Sequence, residues 1–151
     1  MKSLVVYYSR TGNTKKIANE LAKRLKSDID EIKDKKYIST LGLLKICKQA
    51  MTQKTSEIIY SKDPKNYDLV IIGGPVWAWN LMPQLRNYLL QNKKNINNFA
   101  FFLTHGGNFG KNLEQVSKIK KPIATKCFLD KKIKADNFKK ELDAFIKELK
   151  G

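Results

Sequence analysis

The segment from Ser9 to Thr14 reads Ser-Arg-Thr-Gly-Asn-Thr and combines three hydroxyls with an amide and a glycine. It follows an apolar run at 4–8 and precedes an amphipathic stretch at 15–25, which predicts a strand, a tight loop and the start of a helix. The backbone N–H groups of such a loop and the positive end of the helix dipole converge on one point, where the hydroxyls can also donate. The pattern therefore predicts a phosphate-binding loop.

This first loop, residues 9–14, lacks the two commonest nucleotide-binding patterns. A Walker loop needs four residues between its glycines and then Lys-Ser or Lys-Thr, and the dinucleotide fingerprint needs three spaced glycines. ATP and GTP are therefore poor candidates. A structural alternative stays open, because Ser, Thr and Asn are also the ordinary residues that cap a helix.

A second loop, residues 73–80, carries two tryptophans, Trp77 and Trp79. The preceding Gly73-Gly74-Pro75 predicts a turn that holds the backbone close to a ligand. A flat apolar ring system is the expected guest, because indole stacking and desolvation favour a planar aromatic partner. The alternative is that one or both tryptophans pack into the core.

A third loop, residues 104–110, contains three glycines, an asparagine and His105, the only histidine of the chain. Its glycines and amides suit close contact with a ligand. His105 invites a catalytic role, but a single loop histidine without a partner can equally be a polar contact. Both interpretations stay open.

The elements that must position these loops alternate between strand and helix. Apolar runs predict five strands, at 4–8, 29–33, 69–72, 99–103 and 123–128. Amphipathic patterns predict helices at 15–25, 81–91 and 110–119, and a C-terminal one with its apolar face from Phe138 to Leu149. Between the second and third strands, the spacing of Leu43, Leu44, Cys47, Ala50 and Met51 predicts a crossover helix, followed by a loop at 54–65.

This alternation predicts a parallel sheet covered by helices on both faces, because each right-handed crossover lays a helix against the sheet. The 151 residues suit one domain, residues 1–151. In such sheets a ligand lies beyond the carboxyl ends of the strands. The three loops follow the three best strands, so we expect them to meet at one edge.

Composition narrows the class of protein. The formal charge is +16, from 30 Lys and Arg against 14 Asp and Glu, and the lysines are spread along the whole chain. We interpret them as a solvated surface, since no nucleic-acid-binding motif accompanies them. No 18-residue apolar run or leader-like N-terminus is present, and Cys47 and Cys127 are isolated. A cytoplasmic protein without a membrane span is expected.

The pattern Ser-x-Thr-Gly-x-Thr after the first strand resembles the phosphate loop of short-chain flavodoxins, and the second and third loops resemble the two flavin-ring loops of that family. The resemblance implies a doubly wound α/β fold with a five-stranded parallel sheet in the order 2-1-3-4-5, and flavin mononucleotide (FMN) as the cofactor. In the first loop it implies side-chain contacts from Ser9, Thr11, Asn13 and Thr14 and backbone contacts from Arg10 and Gly12. In the other loops it implies a flavin-ring site that includes Pro75, Val76, Trp77, Ala78, Trp79, Asn80, Thr104, His105, Gly106, Gly107, Asn108, Phe109 and Gly110, with Trp77 packed against the ring.

Three departures from the family pattern affect the expected function. Many flavodoxins have Gly where this chain has Ala78, and many cover the outer ring face with an aromatic residue where it has Gly107. Electron-carrier flavodoxins are also usually acidic.

An electron carrier is the leading hypothesis for the function, with an acidic partner or with docking through an apolar rim. An NAD(P)H-dependent flavin or quinone-type reductase with an open ring face is the enzyme alternative, and a non-redox basic binding module is the second. A response-regulator receiver is disfavoured, since Ser9-Arg10 and Gly73-Gly74 stand where its acidic residues belong.

Overall fold

The computed structural model describes residues 1–35 and 57–151, and these ranges contain the alternating strands and helices that the sequence predicts. The strands are β1 (Ser3–Tyr7), β2 (Asp28–Glu31), β3 (Lys33–Asp34), β4 (Ile58–Ile59), β5 (Leu69–Pro75), β6 (Asn98–His105) and β7 (Thr125–Leu129). The helices are α1 (Asn13–Leu25), α2 (Pro83–Asn92), α3 (Asn112–Ile119), α4 (Asp130–Lys134) and α5 (Lys139–Leu149). The crossover helix expected around Leu43 to Met51 lies outside the described residues.

The main sheet has five parallel strands in the order β2-β1-β5-β6-β7. Numbered along the chain as strands of this sheet, they give 2-1-3-4-5, which confirms the predicted fold class. The register pairs Val5 with both Ile29 and Ile71, and it continues from Ile71 to Ala100. The order reverses direction between β1 and β5, so the crevice above these two strands is the place where this fold binds ligands.

Two hydrophobic cores cover the two faces of this sheet, because side chains alternate between faces along each strand. Leu4 and Val6 of β1 belong to the core that contains Leu85 of α2 and Val116 of α3. Val5 belongs to the opposite core, which receives apolar side chains from α1 and α5. The prediction of helices on both faces is confirmed.

The segment at 54–65, expected to be a loop, contains two short regular elements in its described part. Ile58–Ile59 pairs antiparallel with Lys33–Asp34, and residues Pro64–Asn66 form a 3-10 turn. The helix α4 was also not expected. None of the helices in the two described ranges is long and apolar enough to span a membrane.

The Gly73-Gly74 pair does not form the turn that the sequence suggested, because both residues lie inside β5. A Cβ added to Gly73 would lie 2.0 Å from Cζ of Phe102, and one added to Gly74 would lie 2.5 Å from Cδ1 of Leu85. These glycines therefore make room for core side chains, whereas the close approach of this segment to a ligand stays a prediction.

Candidate functional site

The three loops meet at the carboxyl edge of the sheet, as expected from the parallel strands. β1, β5 and β6 are consecutive neighbours in the sheet, and direct hydrogen bonds connect the ends of these strands with the loops. The Val76 N–H donates to the Thr104 carbonyl at 3.0 Å, and the Thr14 and Thr104 hydroxyls lie 2.8 Å apart. The predicted convergence of the loops is thus observed, whereas the contacts of individual residues with a ligand stay predictions.

The first loop leads directly into α1. Gly12 precedes the helix with a φ of 97°, a left-handed conformation that a side chain would strain. The Ser9 hydroxyl oxygen accepts from the N–H groups of Gly12 and Lys15, both at 3.2 Å. Ser9 therefore caps this end of the helix, while Thr11 and Gly12 are exposed to solvent. The structure therefore contains both the helix cap that one sequence interpretation expected and the open loop that a phosphate-binding site requires.

Thr14 lies in the interior, with only 1% of its surface exposed. Its hydroxyl bonds to the Thr104 hydroxyl, so it connects the start of α1 to the end of β6. Thr104 is equally buried. Both residues position the loops in this structure, and the contacts with a ligand expected of them stay predictions.

The second loop contains a tight turn from Trp77 to Asn80. The Asn80 N–H donates to the Trp77 carbonyl at 3.1 Å, and the two central residues, Ala78 and Trp79, have positive φ values of 49° and 56°. Two successive left-handed residues are typical of hairpin turns in which Gly and Asn are preferred. The Asn80 side-chain amide donates to the Ala78 carbonyl at 2.7 Å, which stabilises this turn.

The two tryptophans have different environments. Trp77 is half-buried and packs against the hydrophobic core, and its indole N–H is buried with no hydrogen-bond partner among the described residues. Trp79 is 62% exposed and contributes to a pocket of about 270 Å³ lined by Val76, Ala78, Trp79, Gly106, Gly107 and Asn108. Trp79, and not Trp77, therefore forms a wall of this pocket in the structure. The assignment of Trp77 to the ring stays a prediction.

The third loop is shaped by side chains that bond to its own backbone. The His105 Nδ1 accepts from the Gly107 N–H at 3.1 Å, and the side-chain oxygen Oδ1 of Asn108 accepts from the Gly110 N–H at 2.8 Å. The rings of His105 and Phe109 meet edge to face, with their centroids 5.8 Å apart. These contacts give His105 a structural role, and the charge of Asp130 also acts on its ring.

Gln115 of α3 positions the second loop and was not identified from the sequence. Its side-chain oxygen accepts from the Leu81 N–H at 2.7 Å, and its side-chain nitrogen donates to Asn80 at 2.6 Å. Gln115 is 5% exposed and neighbours Val116, which belongs to the core. In the sequence, a polar residue on the apolar face of a predicted amphipathic helix would indicate such a role.

A second polar group missed in the sequence lies beside the first loop. The Tyr8 hydroxyl donates to one oxygen of Asp34 at 2.6 Å, and the Gln84 side chain donates to the other at 2.7 Å. Burial, followed by the bond to Asp34, raises the pKa of Tyr8, whereas its hydrogen bond with Arg10 lowers it. The Tyr8-Asp34-Gln84 cluster thus connects the end of β1 to β3 and α2.

Protonation of His105 is expected to destabilise the third loop. Burial lowers the pKa of His105 below its ordinary value, and Asp130 raises it by a smaller amount. The neutral ring accepts the Gly107 N–H at Nδ1, whereas the imidazolium cannot. Because the pKa is lower in the folded protein, the stability contributed by His105 is present above about pH 6.5 and is lost as the pH falls through the folded-state pKa.

The measurement is the free energy of unfolding between pH 7.5 and 5.5, by chemical denaturation of the wild type and His105→Asn. The wild type should lose more stability than the variant over this interval. Equal losses in the two proteins would show that His105 does not contribute.

Comparisons with known proteins agree with this fold. The family model described as Flavodoxin matches residues 2–149. A flavoprotein from Lactobacillus acidophilus, solved in complex with FMN, is 26% identical with a TM-score of 0.74, and the match covers 89% of this chain and 97% of that one. A putative flavoprotein from Bacteroides eggerthii is 24% identical with a TM-score of 0.68, covering 96% and 98%. Oxidised flavodoxin 1 from Bacillus cereus is 15% identical with a TM-score of 0.57, covering 99% and 98%. The Bacteroides eggerthii and Bacillus cereus proteins are less than 25% identical to this chain, so these two matches show only that the fold is shared. A search of curated proteins found no match.

Proposed function

The chain belongs to the flavodoxin family, and on that premise we propose that it binds one FMN noncovalently in its three loops and carries electrons between redox partners. The observation that carries the proposal is the position of two features at one sheet edge. The N-terminal end of α1 offers a phosphate seat, and the pocket between the second and third loops offers space for a flat ring. FMN has a phosphate at one end and a flat ring at the other.

The residues at both ends fit this cofactor. A Cβ added to Gly12 or Gly107 would meet no atom within 4 Å, so the backbone of the first and third loops is open to a ligand. The apolar side chains of Val76 and Trp79 form part of the pocket beside the backbone of Gly106 and Gly107. This combination suits a planar ring with a polar pyrimidine edge.

Within this proposal the flavin supplies reversible electron transfer, and the protein supplies binding, orientation and access. The N–H groups and hydroxyls of the first loop hold the phosphate, and the apolar wall of the pocket excludes water from the ring. Trp79 and Phe109 are 62% and 40% exposed at the same edge. They provide an apolar rim through which a partner can approach the ring.

The charge of the chain favours an acidic redox partner. Arg10, Lys15 and Lys111 are exposed in or next to the first and third loops, and the chain carries a formal charge of +16. Complementary charge accelerates association and makes it sensitive to salt. A cytoplasmic location, expected from the isolated cysteines, is part of this proposal and stays a prediction.

A reductase is the second candidate, and the third loop supports it. Gly107 stands where many flavodoxins place a covering aromatic residue, and its position is open. Phe109 packs against His105 and is not among the pocket-lining residues. An uncovered ring face would admit a nicotinamide or a quinone. Anaerobic mixing of the FMN-loaded protein with NADH or NADPH separates the two functions, because a reductase bleaches the flavin absorbance rapidly and a carrier does not.

The test of the cofactor is titration of the purified protein with FMN, followed by flavin fluorescence and thermal unfolding. At a free FMN concentration one hundred times the Kd, binding stabilises the native state by about 2.7 kcal/mol. For a domain of this size the melting temperature should rise by roughly 5–10 °C. AMP, a phosphate compound without a flavin ring, is the control and should produce a smaller shift. A colourless protein that neither quenches FMN fluorescence nor gains thermal stability would contradict the proposal and favour a non-redox binding module.

A further inference from the structure

We propose that Gln115 and Asn80 are positioning residues for the flavin ring, because together they hold the turn from Trp77 to Asn80 in a conformation that its own sequence disfavours. This role rests on the proposed function and concerns the end of the cofactor that carries the ring. It gives a physical reason why this chain can have Ala78 where many flavodoxins have Gly.

The turn has no glycine at its two left-handed positions. Ala78 and Trp79 have φ values of 49° and 56°, which are unfavourable for residues with a Cβ, and Gly or Asn is preferred at such positions. One backbone hydrogen bond closes the turn, from the Asn80 N–H to the Trp77 carbonyl at 3.1 Å. Two unfavourable residues against one bond mean that contacts from outside the turn must stabilise it.

A chain of side-chain hydrogen bonds joins α3 to the middle of this turn. The Gln115 Nε2 donates to Oδ1 of Asn80 at 2.6 Å, and the Asn80 Nδ2 donates to the Ala78 carbonyl at 2.7 Å. Because the Asn80 amide uses its oxygen for Gln115 and its nitrogen for Ala78, Gln115 fixes which way this amide faces. The carbonyl between the two left-handed residues is therefore held from α3.

The side chain of Gln115 is itself fixed at both ends of its amide. Its Oε1 accepts from the Leu81 N–H at 2.7 Å, while its Nε2 is bonded to Asn80. Gln115 is 5% exposed, and its neighbour Val116 belongs to the same core as Leu81. A buried amide with both of its polar atoms bonded cannot rotate without leaving them unpaired, so it is a rigid anchor.

The turn carries two of the residues that line the ring pocket, Ala78 and Trp79. If it opened, the indole of Trp79 would leave the wall of this pocket. The phosphate seat lies at the start of α1, in a different loop. Loss of the bonds from Gln115 and Asn80 should therefore weaken FMN and riboflavin equally, since the two flavins share the ring and differ in the phosphate.

The experiment compares the dissociation constants of FMN and riboflavin for the wild type, Gln115→Met and Asn80→Ala. Gln115→Met keeps a side chain of similar length and removes both of its bonds, and Asn80→Ala removes the bond to the Ala78 carbonyl. We expect each variant to bind both flavins about tenfold more weakly than the wild type.

Asn92→Leu is the matched control for a general loss of stability. Asn92 is also 5% exposed, and its side-chain nitrogen donates to the Tyr88 carbonyl at 3.0 Å and to the Tyr60 hydroxyl at 3.1 Å. It is the last residue of α2, away from the second loop. The variant should lower the melting temperature of the cofactor-free protein but change flavin affinity by less than about twofold.

Rescue by Ala78→Gly separates positioning from general damage. In the Gln115→Met background it should tighten FMN binding by at least about threefold, because Gly adopts the left-handed conformation without help. In the wild type it should change the affinity by less than about twofold, since the turn is already formed. Amide hydrogen exchange of the Asn80 N–H in the cofactor-free protein is a second readout, which should be faster in Gln115→Met and slower again after the rescue.

The outcomes separate the two proposals. Wild-type flavin affinity in both Gln115→Met and Asn80→Ala, or no rescue by Ala78→Gly, would overturn the positioning role and leave the proposed function standing. An equal loss of affinity in Asn92→Leu would also overturn it, since affinity would then follow overall stability. Failure of the wild type to bind either flavin would overturn both proposals.

Discussion

The substitution Gly110→Ala is expected to weaken FMN binding by at least tenfold. Gly110 has a φ of 53°, and an added Cβ would lie 2.0 Å from the carbonyl oxygen of Trp79 and 2.5 Å from its Cβ. The left-handed conformation alone costs a residue with a side chain about 1–2 kcal/mol. The clash cannot be relieved by rotating a side chain, because the nearest atom belongs to the backbone. The second and third loops would therefore have to separate.

This separation would break a bond that holds the pocket together. The Lys111 N–H donates to the same Trp79 carbonyl at 2.9 Å, and Trp79 lines the same pocket as Gly106 and Gly107. FMN affinity measured by fluorescence quenching is the readout. Gly106→Ala is the control for folding, because its nearest neighbour would be an oxygen of Asp130 at 4.0 Å. It should keep the melting temperature of the cofactor-free protein. Wild-type FMN affinity in Gly110→Ala would show that this junction does not position the ring site.

The five parallel strands and the meeting of the loops could be predicted because they depend on long apolar runs and on a general property of parallel sheets, whereas the strand order followed from the resemblance to flavodoxins. Elements without such runs were missed. β3 and β4 have two residues each, and α4 has five residues of which only Ile133 is buried. Such short elements exist because tertiary neighbours hold them, so no periodic pattern marks them in the sequence.

The site was predicted at the level of loops and less well at the level of individual contacts. Residue types identified the first loop, but they could not show that Thr14 bonds to Thr104, which lies 90 residues away in sequence. The sequence also could not decide which tryptophan faces the pocket, because this depends on the left-handed turn at Ala78 and Trp79. Contacts between distant segments depend on packing, which one sequence does not reveal.

The substitution Gly73→Ala is expected to destabilise the cofactor-free protein by about 3 kcal/mol, which would lower its melting temperature by roughly 6–12 °C. An added Cβ would lie 2.0, 2.1 and 2.4 Å from three atoms at the end of the Phe102 ring. Gly73 and Phe102 are direct partners across β5 and β6, and Phe102 is fully buried. Neither strand can move without disturbing the centre of the sheet.

Phe102→Leu removes the three ring atoms that would clash, so it should compensate for Gly73→Ala. By itself it leaves a small cavity and should cost about 1–3 kcal/mol. Urea denaturation of the two single variants and the double variant measures their coupling. The double variant should be more stable than the sum of the single effects predicts, by at least about 1 kcal/mol. Additive losses would contradict direct contact as the cause.

Comparison with Gly74→Ala shows whether the two glycines are needed for packing of the core or for close approach of the backbone to the ligand. Its added Cβ would meet the side chain of Leu85, with Cδ1 at 2.5 Å and Cγ at 3.2 Å. A leucine side chain can rotate away more easily than a phenylalanine ring fixed between strands, so the loss of stability should be smaller than for Gly73→Ala. If the glycines instead served close approach of the backbone to FMN, both variants would keep the stability of the cofactor-free protein and lose only affinity for the flavin. The buried contacts with Phe102 and Leu85 favour a loss of stability in both variants.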